Sequence, residues 1–155
     1  MTGDSQAAAA PVVLVTGATG GIGAATARAY AQRGARLVLL ARSTGLLETL
    51  RAELAAAGGE ALVTVADVAD AAAVDRAFEA TTQEFGGVDV VVHSAAVIAY
   101  GRHDEVPAEV WDQVIRINVT GTAHVARAVA APIPPVAPVT RTTGPPAAWE
   151  SSLTA

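Results

Sequence analysis

Between an apolar run, Val12 to Val15, and an alanine-rich stretch with helical spacing lies Thr16-Gly17-Ala18-Thr19-Gly20-Gly21-Ile22-Gly23. Glycines so placed bring backbone amides close to a bulky anion. Gly17 permits a tight turn, Thr19, Gly20, Gly21 and Ile22 approach a pyrophosphate, and Gly23 lets the next helix pack closely on the sheet. The start of that helix adds partial positive charge. The alternative, a turn that only changes direction, is weakened by the strand-turn-helix context. A second chemical signal ends the next apolar run: Leu40-Ala41-Arg42-Ser43. A carboxylate at that point would bond the ribose 2′-hydroxyl of NAD, and none is present. Arg42 offers a fork of donors suited to a 2′-phosphate and Ser43 adds a hydroxyl, so NADP(H) is expected in preference to NAD(H). The plainer reading of Arg42 is a solvated residue at a strand end.

The elements that must position these residues follow from the apolar pattern. Short β-branched runs alternate with helical spacings from Pro11 to Val92, the signature of βαβ units. Strands are expected at Val12 to Val15, Leu37 to Leu40, Ala61 to Val65 and Val88 to Val92. Helices are expected from Ile22 to Arg33, from Leu46 to Ala57, and from Asp70 to about Phe85, with Gly34, Gly58-Gly59 and Gly86-Gly87 as stops. Asp104 or Glu105 before Pro107 predicts the start of a fourth helix, with Val110, Trp111, Val114, Ile115, Val125 and Val129 at helical spacing. The fold expected is therefore α/β, a Rossmann-type doubly wound parallel sheet limited to its first four strands. Six of the eight prolines lie between Pro132 and Pro146. This divides the chain into a disordered N-terminus (1–10), a dinucleotide-binding domain (11–131) and an irregular proline-rich tail (132–155).

Composition removes other classes of function. The chain has 155 residues, 52% of them apolar and 16% charged, with a net charge of -5. Nucleic-acid binding is disfavoured, because no basic surface is available. Cysteine is absent and only three histidines occur, which excludes disulfides and makes a poor metal set. His93, His103 and His124 read as packed or solvent-facing residues, since no nucleophile elbow accompanies them. All ten basic residues are arginines. The N-terminus carries no export signal and no apolar run long enough to span a bilayer, so a cytoplasmic location and no membrane partner are expected.

The loop, read as Thr16-Gly17, three residues, then Gly21-Ile22-Gly23, resembles the cofactor motif of the short-chain dehydrogenase/reductase family. The resemblance covers about residues 11–130 and includes Asp67-Val68 after the third strand, His93-Ser94-Ala95-Ala96 after the fourth, and Asn118-Val119 in the long helix. It implies a strand order of 3-2-1-4, with Asp67 and Val68 at the adenine and Ser94 and Ala95 along the cofactor. It also implies a small carbonyl or alcohol substrate, and a catalytic-set position for Asn118, which otherwise reads as an ordinary polar helix residue. The family usually has Asn-Asn-Ala-Gly where this chain has His93-Ser94-Ala95-Ala96. Its catalytic Ser and Tyr-x-x-x-Lys have no counterpart: the residues four after Tyr30 and Tyr100 are Gly34 and Asp104, and both tyrosines precede Asn118. Three readings follow: an oxidoreductase known by its N-terminal part, an NADP-binding module without catalysis, and a truncated or frameshifted fragment without function. Without further strands the fourth would present an apolar edge open to self-association.

Overall fold

The computed structural model describes residues 9–131. The segments 1–8 and 132–155, and with them most of the expected N-terminal arm and all of the expected tail, lie outside the described residues. Four parallel strands form one sheet in the order β3-β2-β1-β4. They are β1 (Val12–Thr16), β2 (Arg36–Ala41), β3 (Glu60–Val65) and β4 (Val90–His93). The helices are α1 (Gly21–Ala31), α2 (Thr44–Ala56), α3 (Ala71–Phe85), α4 (Ala108–Ile115) and α5 (Gly121–Ala130), the last two joined through a π-helical turn, Arg116–Thr120. None of them is long and apolar enough to cross a membrane.

Why β1 and β2 are continuous apolar runs is plain from their two faces. Val13, Val15, Leu37 and Leu39 pack under α1 and α2 with Ala27, Leu47, Leu50 and Leu54. Val12, Leu14, Val38 and Leu40 pack on the other side with Val74 and Ala77 of α3, Ile117 of the π turn and Val125 of α5. A strand covered on both faces has no polar alternation to display. Side chains on opposite faces build two cores, one per helix layer.

Helix ends follow local chemistry. The Asp70 carboxylate accepts the amides of Ala72 and Ala73 at 3.0 and 3.1 Å, and Gly86 terminates α3. Such a cap is worth about 1 kcal/mol.

Two sequence expectations need correction. The fourth helix starts at Ala108 after Pro107, not at Asp104 or Glu105. The Asp104 carboxylate is held by Arg102 at 3.2 Å, and the amides of Glu105 and Val106 close a turn onto the Arg102 carbonyl. The fourth strand is Val90–His93, not Val88 to Val92. Asp89 sits at its entrance, where its carboxylate accepts the Val12 amide at 2.7 Å while its own amide donates to the Val12 carbonyl. Other element ends differ from expectation by a residue or two, as fraying ends do.

Candidate functional site

At the C-terminal ends of the strands opens a cleft of about 440 Å³. It lies beside β1, between neighbours β2 and β4, where the strand order reverses; doubly wound sheets form their ligand crevice at such a point. Four segments line it: Gly17, Thr19 and Gly20 after β1; Leu40 to Ser43 with Leu46 after β2; Ala66, Asp67 and Val68 after β3; and Ser94, Ala95, Ala96 and Val97 after β4, with Ile117 beneath.

The loop after β1 divides its glycines between folding and space. Gly17 has φ +64°, and a Cβ there would lie 2.7 Å from the Ala95 amide nitrogen. A Cβ on Gly23 would collide with the Gly17 carbonyl. Gly21 is different, since an added Cβ meets nothing within 4 Å. No side chain caps the α1 N-terminus and its first turn has no acidic residue, which leaves its leading amides for an anion. Open space at Gly21 beside uncapped amides fits a pyrophosphate. Ile22 is largely exposed.

Across the cleft, Arg42 and Ser43 leave β2 and start α2. Both are exposed, and among the described residues Arg42 enters no salt bridge. Ser43 is the N-cap of α2, yet its hydroxyl caps nothing, and the first turn of α2 has no acidic residue. The neighbourhood thus presents a guanidinium, a hydroxyl and a helix N-terminus with no nearby acid in that turn to oppose a phosphate. Asp67 spends one carboxylate oxygen on the Ala69 amide at 2.9 Å. Val68 is buried, its carbonyl accepts from His124 Nδ1 at 2.9 Å, and its side chain presses on Gly121, where a Cβ would come within 2.7 Å of Val68 Cγ2.

The segment after β4 is tied to β1 through Thr16, whose Oγ1 is reached by the amides of Ser94 and Ala95 at 3.2 and 3.3 Å. Ser94 Oγ donates to the Thr16 carbonyl at 2.6 Å, so that hydroxyl is engaged with the backbone. Asn118 does not line the cleft; its side chain accepts the Val97 amide at 2.9 Å and donates to the Val97 carbonyl at 2.8 Å. His93 stands beside Thr16 in register, with Nδ1 2.8 Å from Thr16 Oγ1 and Nε2 3.1 Å from Thr122 Oγ1. Burial pushes its pKa below the ordinary imidazole value. His103 packs at a tilt on Trp111, with ring centroids 5.1 Å apart.

The fold therefore gathers Gly17, Thr19, Gly20, Arg42, Ser43, Asp67, Val68, Ser94 and Ala95 at one cleft, whereas Gly21, Ile22, Gly23 and Asn118 do not line it. Sequence reasoning missed Leu46, Val97, Ile117, Gly121 and the Thr16–His93–Thr122 contacts; only the glycine inside a helical pattern could have flagged one of them. The tyrosines are not in the cleft. Tyr30 packs against the core under α1 and α2, and Tyr100 is exposed.

Residues 11–134 match the family model described as short chain dehydrogenase. D-threitol dehydrogenase of Mycolicibacterium smegmatis is 42% identical over 118 residues, 76% of this chain and 45% of that protein. Versicolorin reductase 1 of Aspergillus parasiticus is 38% identical over 117 residues, 75% of this chain and 45% of that protein. Among solved structures, a variant of actinorhodin polyketide ketoreductase with NADPH superposes with a TM-score of 0.75 at 36% identity, covering 77% of this chain and 46% of that one. The alcohol dehydrogenase of the archaeon Thermococcus sibiricus, complexed with 5-hydroxy-NADP, gives 0.74 at 36% identity, covering 77% and 51%. The chain thus spans about half the length of the proteins it matches.

Proposed function

The chain belongs to the short-chain dehydrogenase family, and from that premise we propose that its cleft binds a nicotinamide dinucleotide, NADP(H) in preference to NAD(H), as the cofactor half of a carbonyl or alcohol oxidoreductase. The observation that carries this reading is the pairing, across one cleft, of an uncapped α1 N-terminus with Arg42 and the Ser43 hydroxyl, neither of which has a side-chain partner among the described residues. The α1 amides, with open space at Gly21, hold the pyrophosphate. Arg42 and Ser43 take the 2′-phosphate, and Asp67, Val68 and Leu46 flank the adenine. Ser94 and Ala95 lie along the remainder of the cofactor. Two relatives bound to NADPH or an NADP derivative support the assignment. Once bound, the dinucleotide supplies the hydride.

These residues orient a cofactor; none of them moves a proton to a substrate. The 155 residues include no lysine, and neither tyrosine lines the cleft. A phenol without a cation beside it is a poor proton shuttle at neutral pH. Proton transfer alone contributes about 10²–10⁴-fold to such reactions. We therefore expect these residues to bind NADPH without oxidising it against carbonyl substrates. Asn118 acts by holding Val97 in place.

Fluorescence titration with NADPH and NADH tests the reading. The protein should favour NADPH, and Arg42→Asp should reverse the preference by about 2–3 kcal/mol, tens- to hundredfold, through loss of a charge-assisted pair and added repulsion. Equal affinity for both dinucleotides would sink the specificity claim, and saturable carbonyl-dependent NADPH oxidation by homogeneous protein the claim of binding alone. Among the described residues β4 lies at the sheet edge, and self-association through that edge would show as a concentration-dependent sedimentation coefficient.

A further inference from the structure

The neighbours of His93 decide which ring nitrogen carries the proton. Thr16 Oγ1 receives the Ala95 amide, and the Ser94 amide divides between Oγ1 at 3.2 Å and the Thr16 carbonyl at 3.3 Å, so both acceptor positions of the hydroxyl are engaged. Its own hydrogen is then left to donate, and His93 Nδ1 lies 2.8 Å away to accept it. On the other side, Thr122 Oγ1 gives its hydrogen to the Asn118 carbonyl at 2.6 Å. It therefore accepts at 3.1 Å from His93 Nε2–H. Every donor and acceptor is matched with one tautomer, the neutral ring protonated on Nε2.

These bonds belong to a closed circuit. Thr16 donates to His93, His93 to Thr122, and Thr122 to the Asn118 main chain. The Asn118 side chain grips both polar groups of Val97, and the amides of Ser94 and Ala95 return to Thr16. Residues 94–97 form one wall of the cleft and have no strand or helix of their own. They are held by this circuit and by the bonds of the Ser94 amide and hydroxyl to the Thr16 carbonyl, and within the circuit His93 joins the sheet to the long helix.

We propose that His93 is a positioning residue: as the Nε2–H tautomer, bridging Thr16 and Thr122, it holds residues 94–97 in the geometry that receives the dinucleotide. This rests on the reading of the cleft as a dinucleotide site. Thr122 is exposed, so Thr122→Val removes one hydroxyl of the circuit with little risk to the core.

The test combines three readouts on the native chain and on Thr122→Val, with His93→Leu as a second variant. Nitrogen-15 shifts of the labelled imidazole should show bare Nδ1 and protonated Nε2 in the native chain, and a mixture of tautomers in Thr122→Val. Amide exchange at Ala95 and Val97 should accelerate in both variants while β1 stays protected. NADPH should bind about tenfold more weakly to each variant, and the double variant should be no weaker than His93→Leu alone. An Nδ1–H tautomer in the native chain, or a Thr122→Val variant with native shifts, exchange and affinity, overturns the proposal. If the native chain binds no NADPH, the dinucleotide reading fails instead, while the shifts and exchange still decide whether His93 fixes residues 94–97.

Discussion

Replacing Gly21 with Asp should separate folding from binding at the α1 N-terminus. An added side chain at this position meets nothing within 4 Å, and Gly21 is not among the glycines with positive φ, so the backbone accepts a substitution. The helix has neither a side-chain cap nor an acidic residue in its first turn. A carboxylate there complements the helix dipole and should stabilise the protein by about 0.3–1 kcal/mol, raising Tm by about 1–4 °C. On the proposed binding mode, the same carboxylate adds negative charge at the helix N-terminus that would hold the pyrophosphate. At about 4–5 Å and an effective dielectric constant of about 20, two like charges repel by about 3–4 kcal/mol. Solvent in the open cleft screens part of that, leaving an expected thirty- to hundredfold loss of NADPH affinity. Gly17→Ala is the contrast: its positive φ and the contact with residues 94 and 95 predict a loss of about 2–5 kcal/mol and a much lower Tm. Differential scanning fluorimetry and NADPH titration read both variants. The reasoning fails if Gly21→Asp lowers Tm as far as Gly17→Ala does, or if it binds NADPH as the native chain does.

Other outcomes follow from the packing and the charges. Gly121→Ala places a methyl 2.7 Å from Val68 Cγ2 and should cost about 1–3 kcal/mol, read by urea unfolding, with weaker NADPH binding because Val68 lines the cleft. His93 has a folded-state pKa depressed by burial, so the unfolded chain binds its proton more readily. Its contribution to stability is thus full above about pH 6.5 and is lost as pH falls from there through the folded-state value, with a slope of at most about 1.4 kcal/mol per pH unit. The difference in unfolding free energy between the native chain and His93→Asn should change in that window and be flat above it; a flat difference throughout refutes the assignment.

Much of the fold was legible because the sheet is buried on both sides. Val12 to Val15 and Leu37 to Leu40 are continuous apolar runs for that reason, and the strand-loop-helix order around Gly17 and Gly23 follows from residue type alone. The expectation for Arg42 rests on the absence of a carboxylate in Leu40-Ala41-Arg42-Ser43. The start of α4 was misread because Asp104, a good capping residue, bonds a neighbouring arginine instead. Of the apolar residues at helical spacing there, Ile115 and Val129 are exposed, and the buried face runs through Ile117, Gly121 and Val125. The π turn lies between them and leaves no compositional mark. The bonds of the His93 circuit join residues up to 79 apart, and no local pattern encodes such a pairing.

The strand order also dictates a sequence of assembly. Val12 pairs with Arg36 and Arg36 with Glu60, each about two dozen residues on, whereas Asp89 meets Val12 across 77. Closing the longer loop costs about 1 kcal/mol more in chain entropy and waits for more of the chain to leave the ribosome. The loops after β1, β2 and β3 can therefore come together while residues 94–97 and the long helix are still unplaced. On the proposed reading, a dinucleotide contacting both groups would favour the final docking of β4, and its supply during synthesis would then raise the amount of chain that reaches the finished sheet.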